Sequence, residues 1–353
     1  LDMGLIHNVN NVPGGSATGV LSFLHDRVQQ AAYSMLGEQD RMQLHYRIGC
    51  MLLDQSGRLD EDIADHRCFD LVSHFNCALA LLNEQQCEQV MALNLQAAQN
   101  AKSTSAYRIA IEYLEYFFEL AQSSNAVTER VLFDAELERL ECLYLCGEYD
   151  CAERLRPSLE GRGESADQAA QLHVVLITQY TRVGQLDKAM TQAQYALRDL
   201  DYPMPAEPTM DDVCAAIESV QQLLSETSFN QLSQKAPVSN KNVLLQLDIL
   251  MAMQPCCYNS GSLLFPLTIL GLLRLTVAEG NSQHSSYVYM MYGLMCTKVL
   301  KDYDTAFDAA KYSRIVGESF PASPLIEGRL QMMLSNFVLP WQQPLTLSSQ
   351  VRD

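Results

Sequence analysis

Gly147-Glu148-Tyr149-Asp150-Cys151-Ala152 is the stretch of sequence that decides the fold. It places a small residue first, a large residue two positions later and an alanine three positions after that. The same order occurs at residues 105–110 and 184–189, and a weaker copy lies at 301–306. The alanines of successive copies are 42, 37 and 117 residues apart, and the near-constant first two intervals are typical of a helical repeat.

Each copy predicts a sharp bend between two paired helices. The small residue suits the point where two helices cross, the large residue fills the gap, and alanine lets the helices approach closely. Ala193 and Ala196 continue the demand for small residues at helical spacing. The pattern resembles the tetratricopeptide repeat. We therefore predict an all-α fold, a tetratricopeptide-like α-solenoid of antiparallel helix pairs.

The composition disfavours several classes of function. The 353 residues include 24 lysines and arginines and 42 aspartates and glutamates, which gives a formal net charge of −18. Nucleic acids and anionic membranes require clustered cations, so we expect neither as a partner. The most apolar run, 263–273, is too short to span a bilayer and predicts a buried helix. Eleven cysteines scattered through apparent helices are typical of a reducing, cytoplasmic environment.

The amino-terminal segment changes its periodicity. Residues 5–9 and 20–23 predict two strands around a loop rich in turn-forming residues. A helical pattern follows, so the second strand delivers His25 and Asp26 to the first turn of a helix, where unpaired N–H groups favour anions. Two interpretations stay open. Asp26 caps the helix while His25 packs in a partly buried position, or the pair contacts an anion.

The stretch Phe23-Leu24-His25-Asp26-Arg27-Val28-Gln29-Gln30-Ala31-Ala32-Tyr33 resembles the end of the winged-helix domain in signal-transduction ATPases with numerous domains. Plant immune receptors of that class carry Met-His-Asp at the corresponding position. The resemblance implies that His25, with Asp26 beside it, contacts the β-phosphate of ADP in a longer parent protein. It also implies that ATP, ADP and Mg²⁺ are cofactors of the parent protein and that this segment alone has none.

Further stretches resemble a bacterial group within that class, in which a Ser/Thr kinase or hybrid histidine kinase, such an ATPase and a helical-repeat region occur in one chain. These stretches are Leu44-His45-Tyr46-Arg47-Ile48-Gly49, Phe69-Asp70-Leu71-Val72-Ser73-His74-Phe75-Asn76, and Gly280-Asn281-Ser282 through Tyr292-Gly293. The resemblance covers most of the chain and implies a cytoplasmic signalling protein. A start at Leu1, within a predicted winged-helix hairpin, indicates a segment of a longer protein.

We predict four segments. Residues 1–37 form the carboxy-terminal part of a winged-helix domain, 38–202 a first block of helical repeats, 203–208 a proline-rich joint, and 209–353 a second block. Thr209 and Asp212 have the spacing of a capping box that opens the second block. The polar stretch 228–240 predicts a loop. Among the predicted helices are 26–36, 38–53, 241–253, 262–278, 282–300, 305–320 and 325–339.

The sequence lacks the motifs of the ATPase and kinase domains that the resemblance implies for the parent protein. It contains neither a phosphate-binding loop of the Gly-x-x-x-x-Gly-Lys-Ser/Thr type nor the His-Arg-Asp and Asp-Phe-Gly motifs of protein kinases. His66, Cys68, His74 and Cys77 lie close together, but their spacing matches no zinc pattern. His74 more simply forms a local helix pair with Asp70. We expect no catalytic residue and no metal in this segment.

Three tyrosines lie on one predicted helix. Tyr287, Tyr289 and Tyr292 follow a polar entry, and Tyr289 and Tyr292 share a helix face. They are either part of the solenoid core or a surface on which a peptide or ligand stacks.

The sequence leaves three functions open. The first is a protein–protein interaction or sensor module that binds a partner protein or peptide, or other domains of the same chain. The second is a nucleotide-regulated switch in which His25 reports ADP or ATP to the repeats. The third, an enzyme, has the least support. The effector-sensing repeats of a maltose-activator-like, ATP-dependent transcription regulator are an alternative family, since such repeats also follow a winged helix.

Overall fold

The computed structural model describes residues 6–8, 21–23, 25–55, 65–122, 124, 127–163 and 165–338. The chain forms two compact units, Leu1–Ala152 and Glu153–Asp353. Helices dominate both units, which confirms the predicted all-α class. In the first unit most helices pack against their neighbours in sequence, and in the second unit packing also joins helices that are further apart in the chain. Both arrangements are consistent with an α-solenoid. The predicted proline-rich joint, 203–208, falls inside the second unit.

The first unit begins with two short strands. β1 (Ile6–Asn8) and β2 (Leu21–Phe23) pair antiparallel, with Ile6 opposite Phe23, as the sequence predicts. A single 3-10 turn at Leu79–Leu81 interrupts the described helices that follow. These helices are α1 (Asp26–Ser34), α2 (Glu38–Gln55), α3 (Asp65–Asn76), α4 (Glu84–Ser103), α5 (Tyr107–Ala121) and α6 (Glu129–Leu145). Residues 56–64, between α2 and α3, lie outside the described residues.

Apolar side chains from α3, α4 and α5 form the main core of the first unit, and Phe75 and Phe117 are almost fully buried in it. Gly49 on α2 permits this packing, because a Cβ atom there would lie 2.9 Å from the Phe75 ring. Asn76 and Asn94 exchange two amide hydrogen bonds of 2.8 and 2.9 Å between α3 and α4. The stretches 44–49 and 69–76, both quoted above for their resemblance, therefore meet at Gly49 and Phe75.

The second unit continues the helical series. α7 (Tyr149–Arg162) contains the boundary between the units. After it come α8 (Ala166–Arg182), α9 (Leu186–Asp199), α10 (Met210–Ser225), α11 (Phe229–Ser233), α12 (Lys241–Asn259), α13 (Leu264–Glu279), α14 (Ser285–Met295), α15 (Tyr303–Ser319) and α16 (Pro324–Met333). Single turns of π-helix extend α14 at Cys296–Leu300 and α16 at Leu334–Val338. Over the described part of the chain, no helix combines the length and the apolar character needed to cross a membrane.

All four bends predicted from the repeated motif are present, with one shared backbone feature. Ser105, Gly147, Gly184 and Lys301 have φ angles of 64°, 79°, 78° and 55°. In each case the next helix begins two residues later. A left-handed residue just after a helix ends the helix and turns the chain, which is the arrangement that glycine favours.

Size is not what the bend requires, which corrects the sequence interpretation. A Cβ atom on Gly147 or Gly184 would meet nothing within 4 Å. At Gly147, the N–H of Glu148 donates to the Leu143 carbonyl at 2.9 Å, and the Gly147 N–H donates to the Tyr144 carbonyl at 3.1 Å. These two bonds satisfy carbonyls that the helix end leaves unpaired. The conserved requirement among the four copies is therefore a positive φ angle.

The alanine position of the motif does serve packing. Ala110, Ala152 and Ala189 are fully buried, and Ala306 is 1% exposed. On α14, Gly293 plays a similar part, since a Cβ atom there would lie 2.9 Å from the Ala306 carbonyl oxygen on α15. Small residues thus allow α14 and α15 to lie close together.

The stretch 228–240, predicted as a loop, contains the short helix α11. Ser228 caps it, because its hydroxyl accepts from the Gln231 N–H while the Gln231 side chain accepts from the Ser228 N–H. Phe229 and Leu232 are buried, and α11 packs against α15. The sequence predicted a loop because most residues of the stretch are polar, although Phe229 and Leu232 are apolar and buried.

The proline-rich stretch packs onto α13 in the second unit. The hydroxyl oxygen of Tyr202 would lie 2.6 Å from a Cβ atom on Gly271, so glycine is needed there. The Arg274 guanidinium lies over the Tyr202 ring at 5.2 Å, and the Gln194 amide donates to the Pro205 carbonyl at 2.7 Å. The capping box predicted at Thr209 is confirmed.

Candidate functional site

His25 lies at the amino-terminal end of α1 and is exposed. Its Nδ1 atom accepts a hydrogen bond from the Arg27 N–H at 3.1 Å, so His25 itself caps the helix. This corrects the interpretation in which Asp26 is the cap and His25 is partly buried. Asp26 is the first helical residue, where its carboxylate interacts favourably with the helix dipole. The imidazole is therefore held at the helix start through its Nδ1 atom and faces solvent.

Tyr289 is fully buried, although the sequence offered it as a partner surface. Its hydroxyl donates to the Asn281 side-chain carbonyl at 3.0 Å. The Asn281 amide nitrogen donates to the Leu232 carbonyl at 2.8 Å and to the Lys235 carbonyl at 3.2 Å. Tyr289 therefore completes a buried polar cluster that fixes the stretch after α11 against the start of α14.

Gly280 explains why this cluster begins with Gly-Asn. Its φ angle is 122°, and a Cβ atom there would lie 2.3 Å from the Ala236 carbonyl oxygen. The Asn281 N–H donates to that same carbonyl at 3.0 Å, and its own carbonyl accepts from the Val238 N–H at 2.9 Å. The stretch Gly280-Asn281-Ser282 thus holds residues 236–238 in place through backbone hydrogen bonds.

Tyr292 and Tyr287 also belong to the interior of the second unit. Tyr292 is 2% exposed and packs near the Phe229 ring, with centroids 6.3 Å apart. Burial raises the pKa of both phenols above the ordinary value. Of the two sequence interpretations, the solenoid core therefore describes these tyrosines, and the described structure offers no exposed stacking surface built from all three. Tyr287 differs from the others because it lines a cavity.

This cavity lies among α12, α13, α14 and α16 and has a volume of about 640 Å³. Apolar and aromatic side chains dominate its wall. The Tyr287 hydroxyl donates to the Gln254 side-chain oxygen at 3.0 Å, while the Gln254 amide nitrogen is buried without a hydrogen-bond partner. The sequence alone does not predict this cavity, since its walls come from helices that only the fold brings together.

A histidine pair that the sequence analysis did not predict lies in the first unit. His45 Nδ1 and His74 Nδ1 are 2.8 Å apart and share one hydrogen bond. The Tyr33 hydroxyl is 2.9 Å from His45 Nε2, so the chain of contacts joins α1, α2 and α3. Burial, and then the neighbouring His45, lower the pKa of His74 below its ordinary value, although Asp70 acts in the opposite direction.

The four residues whose proximity in the sequence suggests zinc do not converge in the described part of the chain. Cys68 is buried and donates to the Leu93 carbonyl, His74 contacts His45, and Cys77 is exposed. The side chain of His66 lies outside the described residues. Among the described residues, no group of three or more potential ligands is close enough to hold a metal ion.

Cys142 and Cys296 are buried thiols. Burial raises the pKa of Cys142 and of Cys296 to about 12, so both thiols stay protonated at neutral pH. A protonated, buried thiol is a poor nucleophile and a poor metal ligand. These cysteines act as small apolar residues of the core.

Among curated proteins, the chain has a distant similarity to a signalling protein. The chain is 19% identical over 357 residues to "Hybrid signal transduction histidine kinase G" of Dictyostelium discoideum, which covers 90% of this chain and 10% of that protein. The chain thus spans about a tenth of the length of this curated relative. No family model matches the chain. The similarity supports a role in signal transduction.

Proposed function

We propose that this chain is a non-catalytic interaction and sensor module within a large signalling protein that also carries kinase and ATPase domains. One observation carries the proposal. Nearly the whole chain aligns with a small part of a much longer signal-transduction kinase. A mainly helical segment that lies inside so large a protein is suited to contact other domains or a partner protein.

The helices provide the physical basis for such contacts. Stacked helix pairs of the tetratricopeptide type expose a continuous surface made from successive repeats. The formal net charge of −18 favours a basic surface on the partner. A basic peptide or a basic face of a neighbouring domain is therefore the preferred partner.

In the parent protein, we expect the amino-terminal segment to link this module to a nucleotide. The strands β1 and β2 followed by α1 form the end of a winged helix, and exposed His25 contacts the β-phosphate of ADP, with Asp26 holding the helix start. ATP, ADP and Mg²⁺ bind to the ATPase domain of the parent. A protonated or neutral imidazole donates to phosphate, and the ADP-bound state is thereby stabilised.

Binding between separately purified segments tests the proposal. Calorimetric titration of the parent's ATPase segment into this chain should give saturable heat that weakens as salt rises, because the expected contact is electrostatic. Titration of ADP into this chain alone should give no heat. Hydrolysis of ATP by the isolated chain, or failure to bind any other segment of the parent, would contradict the proposal.

A further inference from the structure

The cavity in the second unit has the size and chemistry of a small-molecule site. Its volume, about 640 Å³, lies within the range that ligand pockets usually occupy, roughly 300–1,000 Å³. Its wall is mainly apolar and includes Phe265, Ile269 and Leu294. Four methionines also contribute, and such flexible side chains adapt to ligands of different shape. They are Met291, Met295, Met332 and Met333.

One end of the cavity is polar in a specific way. Gln254 is 2% exposed, and its amide nitrogen has no hydrogen-bond partner in the described structure. Its oxygen is already occupied by the Tyr287 hydroxyl, so two N–H donors remain available. A buried donor without an acceptor is unfavourable, and a ligand oxygen at this position would satisfy it.

The charges along the wall have one sign. Among the described residues that line the cavity, Lys298 and Arg329 are charged, and no carboxylate accompanies them. This is unusual in a chain with 42 acidic and 24 basic residues. Arg329 also lowers the pKa of Tyr287, against the larger effect of burial, which places positive potential at the end where Tyr287 and Gln254 meet.

Backbone geometry marks the same place. Both described turns of π-helix border the cavity, since Lys298 and Val299 come from Cys296–Leu300 and Phe337 from Leu334–Val338. Such turns are rare and are frequent at functional sites, because they redirect side chains at the cost of regular hydrogen bonding. Here they direct a lysine and an aromatic ring to the cavity, with Lys298 Nζ 5.2 Å from the centre of the Phe337 ring.

From these observations we infer that the second unit binds an amphipathic carboxylate, a small molecule with one carboxylate and an unbranched apolar body. The carboxylate accepts from the Gln254 amide and pairs with the Arg329 guanidinium. The apolar body lies along the methionine and phenylalanine side chains. This inference goes beyond a protein–protein interaction module and does not depend on the identity of a protein partner.

Decanoate is a suitable probe, with decyltrimethylammonium as a comparison probe whose tail is one carbon longer and whose charge is opposite. Calorimetry on the full 353-residue chain should show saturable binding of decanoate with one site. Decyltrimethylammonium should bind at least tenfold more weakly. Equal affinities for both probes, or no saturable binding of decanoate, would overturn the inference.

Two variants locate the site. Arg329→Gln should weaken decanoate binding by about ten- to a hundredfold, as expected for a charge-assisted hydrogen bond. Arg314→Gln removes the same charge from an exposed position on α15 and should leave binding unchanged. Met332→Trp enlarges a half-exposed side chain at the cavity and should also weaken binding while circular dichroism shows an unchanged fold. If neither Arg329→Gln nor Met332→Trp changes the affinity, decanoate binds elsewhere and the inference is wrong.

The carboxy-terminal residues 339–353 provide one more control. A chain ending at residue 338 should bind decanoate as well as the full chain does. If only the shortened chain binds it, the chain's own end occupies the cavity and the inferred small-molecule site is overturned.

Discussion

Tyr289 and Asn281 are joined inside the second unit by a 3.0 Å hydrogen bond from the tyrosine hydroxyl to the asparagine side-chain oxygen. The same asparagine holds the end of α11 through its amide nitrogen and the residues after α11 through its backbone. A residue that resembled a binding surface in the sequence is therefore part of the clamp between α11 and α14. This relationship has a measurable consequence for stability.

Tyr289→Phe should destabilise the chain by about 1–3 kcal/mol, because the Asn281 oxygen would lose its donor in a buried position. Tyr258 is 68% exposed and offers a matched control. Tyr258→Phe should change the free energy of unfolding by less than about 0.5 kcal/mol. Urea unfolding followed by circular dichroism measures both values, and equal effects of the two variants would show that the buried bond contributes nothing.

The left-handed bends predict opposite effects for two glycine substitutions in the second unit. Gly184→Ala should cost about 1–2 kcal/mol, since φ is 78° there and alanine disfavours that conformation. Gly161→Ala, near the end of α7 with open space around it, should stabilise the chain by about 0.5–1 kcal/mol. Thermal unfolding of both variants gives the comparison. A stabilising Gly184→Ala would mean that the bend does not need a positive φ angle.

The histidine pair in the first unit predicts a pH dependence. The folded-state pKa of His74 lies below 6.5, so the unfolded chain binds more protons than the folded chain as the pH falls through that range. The contribution of His74 to the free energy of unfolding should therefore be fully present above about pH 6.5. It should decrease as the pH falls below this value, until the folded-state pKa of His74 is reached. If both rings were protonated, each Nδ1 would be a donor and the hydrogen bond between His45 and His74 would be lost.

Unfolding measured between pH 5 and 8 on the unsubstituted 353-residue chain and on its His74→Gln variant separates this effect from other titrating groups. The variant should have the shallower dependence near pH 6. Parallel curves for the two proteins would rule out His74 as the responsible group.

His25 has two separable roles, a helix cap and the proposed phosphate contact. His25→Ala removes both, whereas His25→Asn keeps a capping side chain. In the isolated chain, Ala should cost about 0.5–2 kcal/mol and Asn much less. In the parent protein, both variants should release ADP faster, since neither has an imidazole. If Asn releases ADP at the original rate, the histidine is only a cap.

The sequence predicted the helical class and the four bends because these depend on local signals. Gly147 and Gly184 mark helix ends by composition, and Ala152 and Ala189 mark the close contacts beside them. The reason for the glycines was misjudged, since Ser105 and Lys301 occupy the same backbone conformation with larger side chains. A positive φ angle cannot be inferred from residue type alone when serine and lysine also adopt it.

Long-range contacts were beyond sequence reasoning. Nothing near Tyr289 in the sequence indicates that Asn281 and the residues after α11 surround it. The cavity likewise depends on Gln254, Tyr287 and Arg329, which come from three different helices. Helix α11 was missed because two buried side chains, Phe229 and Leu232, decide a stretch whose other residues are mostly polar.

Hydrogen–deuterium exchange tests the central claim, that this chain is an interaction module of a larger signalling protein. The comparison is between the isolated chain and the same residues within the intact parent protein. We predict slower exchange of backbone amides in the parent protein over a contiguous set of helices. This protection should change between the ADP-bound and ATP-bound states. Superimposable exchange of the isolated and the intact chain in both nucleotide states would contradict the account.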